Sequence, residues 1–138
     1  NGNSPKNLGG MKWLGPQTDH AVAAFIQDVE ERGLSNDILL IVTGEMGRTP
    51  RINRNGGRDH YGELTPLLLS GGGLKMGQVI GQSDRTASRP ATTPFNPSHL
   101  FATIMHTLFD IGELRLVQSV PRDIQQIINR DEPITGLL

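Results

Sequence analysis

Residues 38–50 read ILLIVTGEMGRTP, an unbroken apolar run, Ile38-Leu39-Leu40-Ile41-Val42, that passes directly into the polar Thr43-Gly44-Glu45-Met46-Gly47-Arg48-Thr49-Pro50. The run is continuous rather than alternating and is too short for an ordinary helix. It predicts a strand apolar on both faces, the pattern of a parallel strand buried between layers of helices. From Gly44 to Glu63 no helical or alternating period can be placed. A structureless stretch of about twenty residues in a compact domain commonly carries function.

Upstream, a helix is predicted to open at Pro16, with Asp19 near its positive end and Val22, Phe25, Ile26 and Val29 on one face. Gly33 is a natural stop after Arg32. Residues 1–15 are rich in Gly, Asn and Pro, and with Met11, Trp13 and Leu14 they read as a docking loop. Downstream, Leu67-Leu68-Leu69-Ser70 is a second strand, ended by Gly71-Gly72-Gly73, and Gln78-Val79-Ile80 a third. After a polar loop from Gly81 to Phe95, Asn96 can cap a helix with Pro97 first and Leu100, Phe101, Ile104, Met105 and Leu108 on its buried stripe. Gly112 is expected to end it. Pro121 opens a last helix bearing Ile124, Ile127 and Ile128, before a closing turn at Pro133 and Gly136.

This order predicts an α/β fold, a sheet sandwiched by helices. Three short strands would leave residues 38–42 poorly covered, so further strands are expected outside the chain. The first residues read as the interior of a loop, which also suggests a piece of something longer. The 138 residues are 36% hydrophobic and fit one domain. Thirteen basic and fourteen acidic side chains give a net charge of −1, which argues against nucleic acid or an anionic membrane as partner. The lack of cysteine excludes disulfides, thiolate zinc sites and cysteine nucleophiles, but leaves the compartment open. No stretch approaches the ~18 apolar residues of a membrane span.

Glu45 lies two residues past the strand end, where ligands gather in open α/β sheets. A partly desolvated carboxylate there needs a partner, either an ion pair with Arg48 or a metal ion. His60 follows Gly56-Gly57-Arg58-Asp59; it reads as a metal ligand or a hydrogen-bonded turn residue, with Asp59 orienting it. Arg48, Arg51, Arg54 and Arg58, four arginines in eleven residues, offer planar forks for phosphate or sulfate, and at least two of them are expected merely to be solvated. His20, His99 and His106 read as surface or packing residues. The stretch Gly71 to Gly77 fails as a phosphate loop because no Ser or Thr follows Lys75 and no helix pattern begins there.

Three segments, Asp28–Leu34, Thr43–Pro50 and Asn55–Tyr61, together with Leu69–Gly73 and Gly77–Gly81, resemble an exported, largely uncharacterised bacterial family of the alkaline phosphatase and sulfatase-like superfamily. The resemblance implies an α/β/α sandwich with a mostly parallel sheet, of which this chain is the C-terminal portion. It implies a metal-dependent hydrolase of sulfate or phosphate monoesters, with a divalent ion, zinc first and calcium or magnesium as alternatives, and a periplasmic or exported location. Glu45 and His60 match metal-ligand positions and Asp59 is counted with them in the metal site, while Arg48 and Arg58 would steer the anionic ester. The nucleophile and the first metal ligands would lie in the N-terminal part, with a tryptophan-aspartate-x-histidine motif just before Asn1, so the chain alone is expected to be inactive. Met46 departs from the pattern, occupying the place of a histidine ligand with a thioether that binds zinc poorly. That departure raises a second expectation, a non-catalytic member that binds an anionic glycan or a partner protein.

Overall fold

A computed structural model describes residues 10–138. Its elements, in chain order, are α1 (Gly10–Glu31), β1 (Leu39–Thr43), β2 (Gly47–Arg48), β3 (His60–Tyr61), β4 (Leu67–Gly71), α2 (Pro97–Leu108), α3 (Ile111–Leu116) and α4 (Arg122–Arg130).

Helix α1 starts before the expected Pro16. Of the docking loop expected over 1–15, residues 1–9 lie outside the described residues, and the remainder is helical. Pro16 therefore stands inside the helix, where its missing N–H forfeits the bond to the carbonyl four residues back. Met11, Trp13 and Leu14 are nevertheless exposed. The other end follows the sequence closely. Gly33 takes φ +70, its N–H donates to the Glu30 carbonyl at 2.9 Å, and the Leu34 N–H donates to the Val29 carbonyl at 2.9 Å. These two bonds make a Schellman cap and reverse the chain toward β1.

The strand over 38–42 forms as β1, but its partner is antiparallel. Leu39 faces Gly71 and Thr43 faces Leu67, so β4 runs back along β1 after the excursion over 44–66. Both ladders among the described residues are antiparallel. The third expected strand, Gln78-Val79-Ile80, does not form. Val79 is 96% exposed, and the Gln78 amide instead donates to the carbonyls of Lys75 and Gly136, both at 2.8 Å.

Helix α2 begins as the sequence predicts, with Pro97 in the first turn. The Asn96 side chain accepts from the N–H of Ser98 and of His99, while the His99 ring nitrogen accepts from the Asn96 N–H at 3.1 Å, closing a reciprocal cap. The helix stops at Leu108, before Gly112. Asp110 then accepts from the Glu113 N–H at 3.1 Å and starts α3, so the expected terminator lies inside a new helix. Arg115 of α3 reaches α4, donating to the Ile128 carbonyl at 2.7 Å and to the Asn129 side chain at 3.1 Å.

The core is small. Leu74, Ile134 and Leu137 are buried together, with Leu39, Leu69 and Ile80 packed on them, while Ala102, Ile111 and Ile128 fill the contacts of the C-terminal helices. Thr103 of α2 is fully buried, and its hydroxyl donates to the His99 carbonyl at 2.7 Å and accepts from the Ile134 N–H at 2.8 Å. One side chain thereby ties α2 to the chain's last turn. Lys75 adds a second tie, from its N–H to the Leu137 carbonyl at 2.8 Å and from its ammonium to the Leu138 carbonyl.

Candidate functional site

The excursion from β1 to β4 is folded into a narrow ribbon, in which Gly47 faces Tyr61 and Arg48 faces His60. Gly47 allows this. A Cβ on it would stand 1.7 Å from the Leu64 carbonyl oxygen and 3.2 Å from that of Tyr61. Side chains alternate across a strand, so Gly47 and Tyr61 share one face of the ribbon while Arg48 and His60 share the other.

The first face is packed. The Tyr61 hydroxyl donates to the Ser88 carbonyl, holding a tight loop that a bridge between Ser83 and Pro90 closes. Within that loop Asp84 is half-buried and accepts from the N–H of Ser88 at 2.8 Å and from the N–H and hydroxyl of Thr86 at 3.1 and 3.0 Å. The Ser88 N–H is the main cause that holds the Asp84 carboxyl below its ordinary range, with Thr86 adding to it and burial opposing. Ala87 sits at φ +53 in the same turn.

The second face is open. Arg48 and His60 are both exposed, and neither side chain has a hydrogen-bond partner among the described residues. Glu45 is exposed in the turn that precedes β2. The expected desolvation of Glu45 is thus absent, because the chain turns outward once β1 ends at the exposed Thr43. Its expected ion pair with Arg48 is absent too: the ion pair among the described residues is Arg32 with Asp28, at 2.8 Å within α1 and the turn after it.

Asn53 organises the tip of the ribbon. Its side-chain oxygen accepts from the N–H of Asn55 and of Gly57, both at 3.0 Å, and its amide donates to the Asp59 carboxylate at 2.7 Å. Arg58 is turned inward on the loop and donates to the carbonyls of Thr49 at 2.9 Å and Pro50 at 2.8 Å. Its guanidinium therefore closes the ribbon instead of pointing at a ligand. Arg51 and Arg54 are exposed and, among the described residues, their side chains make no hydrogen bond.

Glu45, Asp59 and His60 are thus placed around one ribbon but not gathered into a ligand set. Among the described residues no three His, Cys, Asp or Glu side chains stand close enough to hold a metal ion. The described residues do not by themselves complete a site for the metal that the resemblance implies. His99 is occupied by the α2 cap and packs edge-on against Phe95 at 5.4 Å, consistent with a packing role. A groove of about 180 Å³ opens between α1 and the start of β1, lined by Phe25, Ile26, Val29, Leu74 and Met76, away from the ribbon.

Sequence reasoning missed two organisers, Asn53 and the Tyr61–Ser88 tie. Asn53 ahead of Asn55-Gly56-Gly57 carries the signal of a side chain that caps a turn, as does Asp84 ahead of Thr86 and Ser88. Neither a curated protein nor a solved structure matches the chain. The family described as "Protein of unknown function (DUF1501)" matches residues 3–137, nearly the whole length, and the chain belongs to that family.

Proposed function

We propose that the chain supplies the anion-facing edge of a hydrolase of sulfate or phosphate monoesters, of the alkaline phosphatase and sulfatase-like kind that its motifs resemble. The observation that carries this reading is the cross-strand pair Arg48 and His60, exposed side by side just beyond the carboxyl end of β1. A guanidinium presents a planar fork to a tetrahedral oxyanion, and the neighbouring imidazole can donate a hydrogen bond or ligate a cation. In this reading Arg58 serves at one remove, by holding Thr49 and Pro50 so that Arg48 stays aligned.

Glu45 and His60 are the candidate ligands for a divalent ion, zinc by the chemistry of the resemblance, with Asp59 beside them offering the carboxylate oxygen that the Asn53 amide does not hold. The remaining donors would have to come from outside the described residues, so no catalytic step is assigned to the metal. The same proposal places the antiparallel pair of β1 and β4 within a larger, mostly parallel sheet, and the whole in the periplasm or outside the cell. A second reading rests on Met46 standing where the resembled hydrolases carry a histidine: the face binds an anionic glycan or a partner without turnover.

Equilibrium binding of an aryl sulfate and an aryl phosphate, with and without zinc, tests the proposal. Arg48→Ala is expected to weaken binding about tenfold or more, as loss of a charge-assisted contact does. His60→Ala is expected to abolish any zinc dependence. Unchanged binding in both variants would remove the ribbon from consideration, and binding that Arg48→Ala weakens but that is indifferent to zinc and to His60→Ala would favour the second reading.

A further inference from the structure

We propose that Asn55 is a site of spontaneous covalent modification, the conversion of its side-chain amide to a carboxylate through ring closure with Gly56. The inference is independent of the hydrolase reading. The Gly56 backbone nitrogen attacks the Asn55 side-chain carbonyl carbon; a C–N bond forms, the bond to the amide nitrogen breaks, and ammonia leaves with the proton that Gly56 gives up. Water then adds to either carbonyl of the five-membered imide. The ring opens to an aspartate or to an isoaspartate, whose backbone runs through the former side chain. No oxidant or reductant is needed.

The local structure leaves the reacting groups accessible. Asn55 and Gly56 are both exposed, and a Cβ placed on Gly56 would meet nothing within 4 Å, so the turn is open on the side of the glycine Cα. The Asn55 side chain has no hydrogen-bond partner among the described residues, while its backbone N–H is held by Asn53. One bond opposes the reaction, from the Gly56 N–H to the Asn53 carbonyl at 3.0 Å. It lies in an exposed turn, where local opening costs little.

The other described asparagines are disfavoured, each by its own surroundings. Asn53 has both side-chain atoms engaged. Asn96 precedes Pro97, which has no N–H to close the ring, and its oxygen caps α2. Asn129 is inside α4 and holds Arg115. Asn36 precedes Asp37, whose side chain hinders closure and whose N–H is bound to the Leu34 carbonyl at 3.0 Å. Conversion at Asn55 would set a carboxylate between Arg54 and Arg58. The isoaspartate form would also lengthen the turn that Asn53 closes.

The test incubates the full chain in heavy-oxygen water at mildly alkaline pH and follows every asparagine by peptide mass spectrometry, which also separates Asn55-Gly56 from Asn1-Gly2. Asn55 is expected to take up the label faster than Asn36, Asn53, Asn96 and Asn129, at a rate within roughly tenfold of the urea-unfolded chain. Asn55→Gln should remove the label at that position and leave the others unchanged. Labelling of Asn55 no faster than of Asn53 and Asn129, or labelling in urea alone, would overturn the proposal.

Discussion

Gly33 and Gly47 both have to be glycine, for unlike reasons that mutation can separate. Gly33 adopts φ +70 with open space around it, so Gly33→Ala meets only the left-handed strain and should cost about 1 kcal/mol in a urea unfolding curve. Gly47 has no such φ but would drive a Cβ to 1.7 Å from a backbone oxygen, which nothing flexible can relieve. Gly47→Ala should therefore unpair Arg48 from His60, seen as lost amide protection over 47–61, before or together with global unfolding. The first role was legible in the sequence as a helix stop. The second was not, because the obstructing carbonyl belongs to Leu64, whose approach is set by how the excursion folds. Asp84 makes a residue-scale prediction about pH. Its carboxyl titrates below the ordinary range because the ionised form accepts the Ser88 and Thr86 donors. A group so depressed contributes stability that is fully present above the unfolded carboxylate pKa and is lost as pH falls through the folded value. Asp84→Asn should remove that part of the acid dependence, measured as a flatter fall in thermal midpoint on acidification below the normal aspartate range.

At the scale of elements, the buried hydroxyl of Thr103 is the sharpest point of leverage. Thr103→Val keeps the volume and leaves the Ile134 N–H without its acceptor, an unpaired buried donor that costs about 1–3 kcal/mol. If chemical denaturation shows Thr103→Val within error of wild type, the tie between α2 and the closing turn is unimportant. The elements most legible in the sequence were those with local punctuation: Asn96-Pro97 opening α2, Pro121 preceding α4, Gly33 after α1. Elements governed by distant partners were read less well. The apolar run of β1 announced a strand, but no periodicity within it could reveal that Leu67–Gly71 would pair with it antiparallel. Gln78–Ile80 has strand composition and no ladder, since its glutamine is drawn to the carbonyls of Lys75 and Gly136. Helix α1 runs through Pro16, where local preference alone would have begun it. In the candidate site, the residue types at Glu45, Arg48, Asp59 and His60 were visible, but their company was not. That Arg58 would spend its fork on Thr49 and Pro50, and that Asn53 would claim Asp59, are consequences of a turn geometry that residue identity only hints at.

At the scale of the molecule, the described residues leave large apolar groups exposed, among them Trp13, Leu68, Phe101, Leu108 and Leu116. Surfaces of that kind mark association or aggregation. The chain should accordingly enhance the fluorescence of a hydrophobic dye without denaturant. Its single tryptophan, Trp13, 64% exposed on α1, should emit as solvated indole and be open to aqueous quenchers. A blue-shifted, protected indole in dilute solution would mean that α1 folds back or is covered. The two-residue ladder of β2 and β3 also limits how the sequence can vary. Alternation makes facing a matter of parity: one residue inserted between Gly47 and Arg48 would slip the register and exchange the open face for the packed one. The exposed tip at 54–56, closed by Asn53 from outside, can absorb added length without disturbing that parity. Family members should therefore vary in length at the tip and stay constant in spacing from Gly47 to Thr49 and from Asp59 to Tyr61.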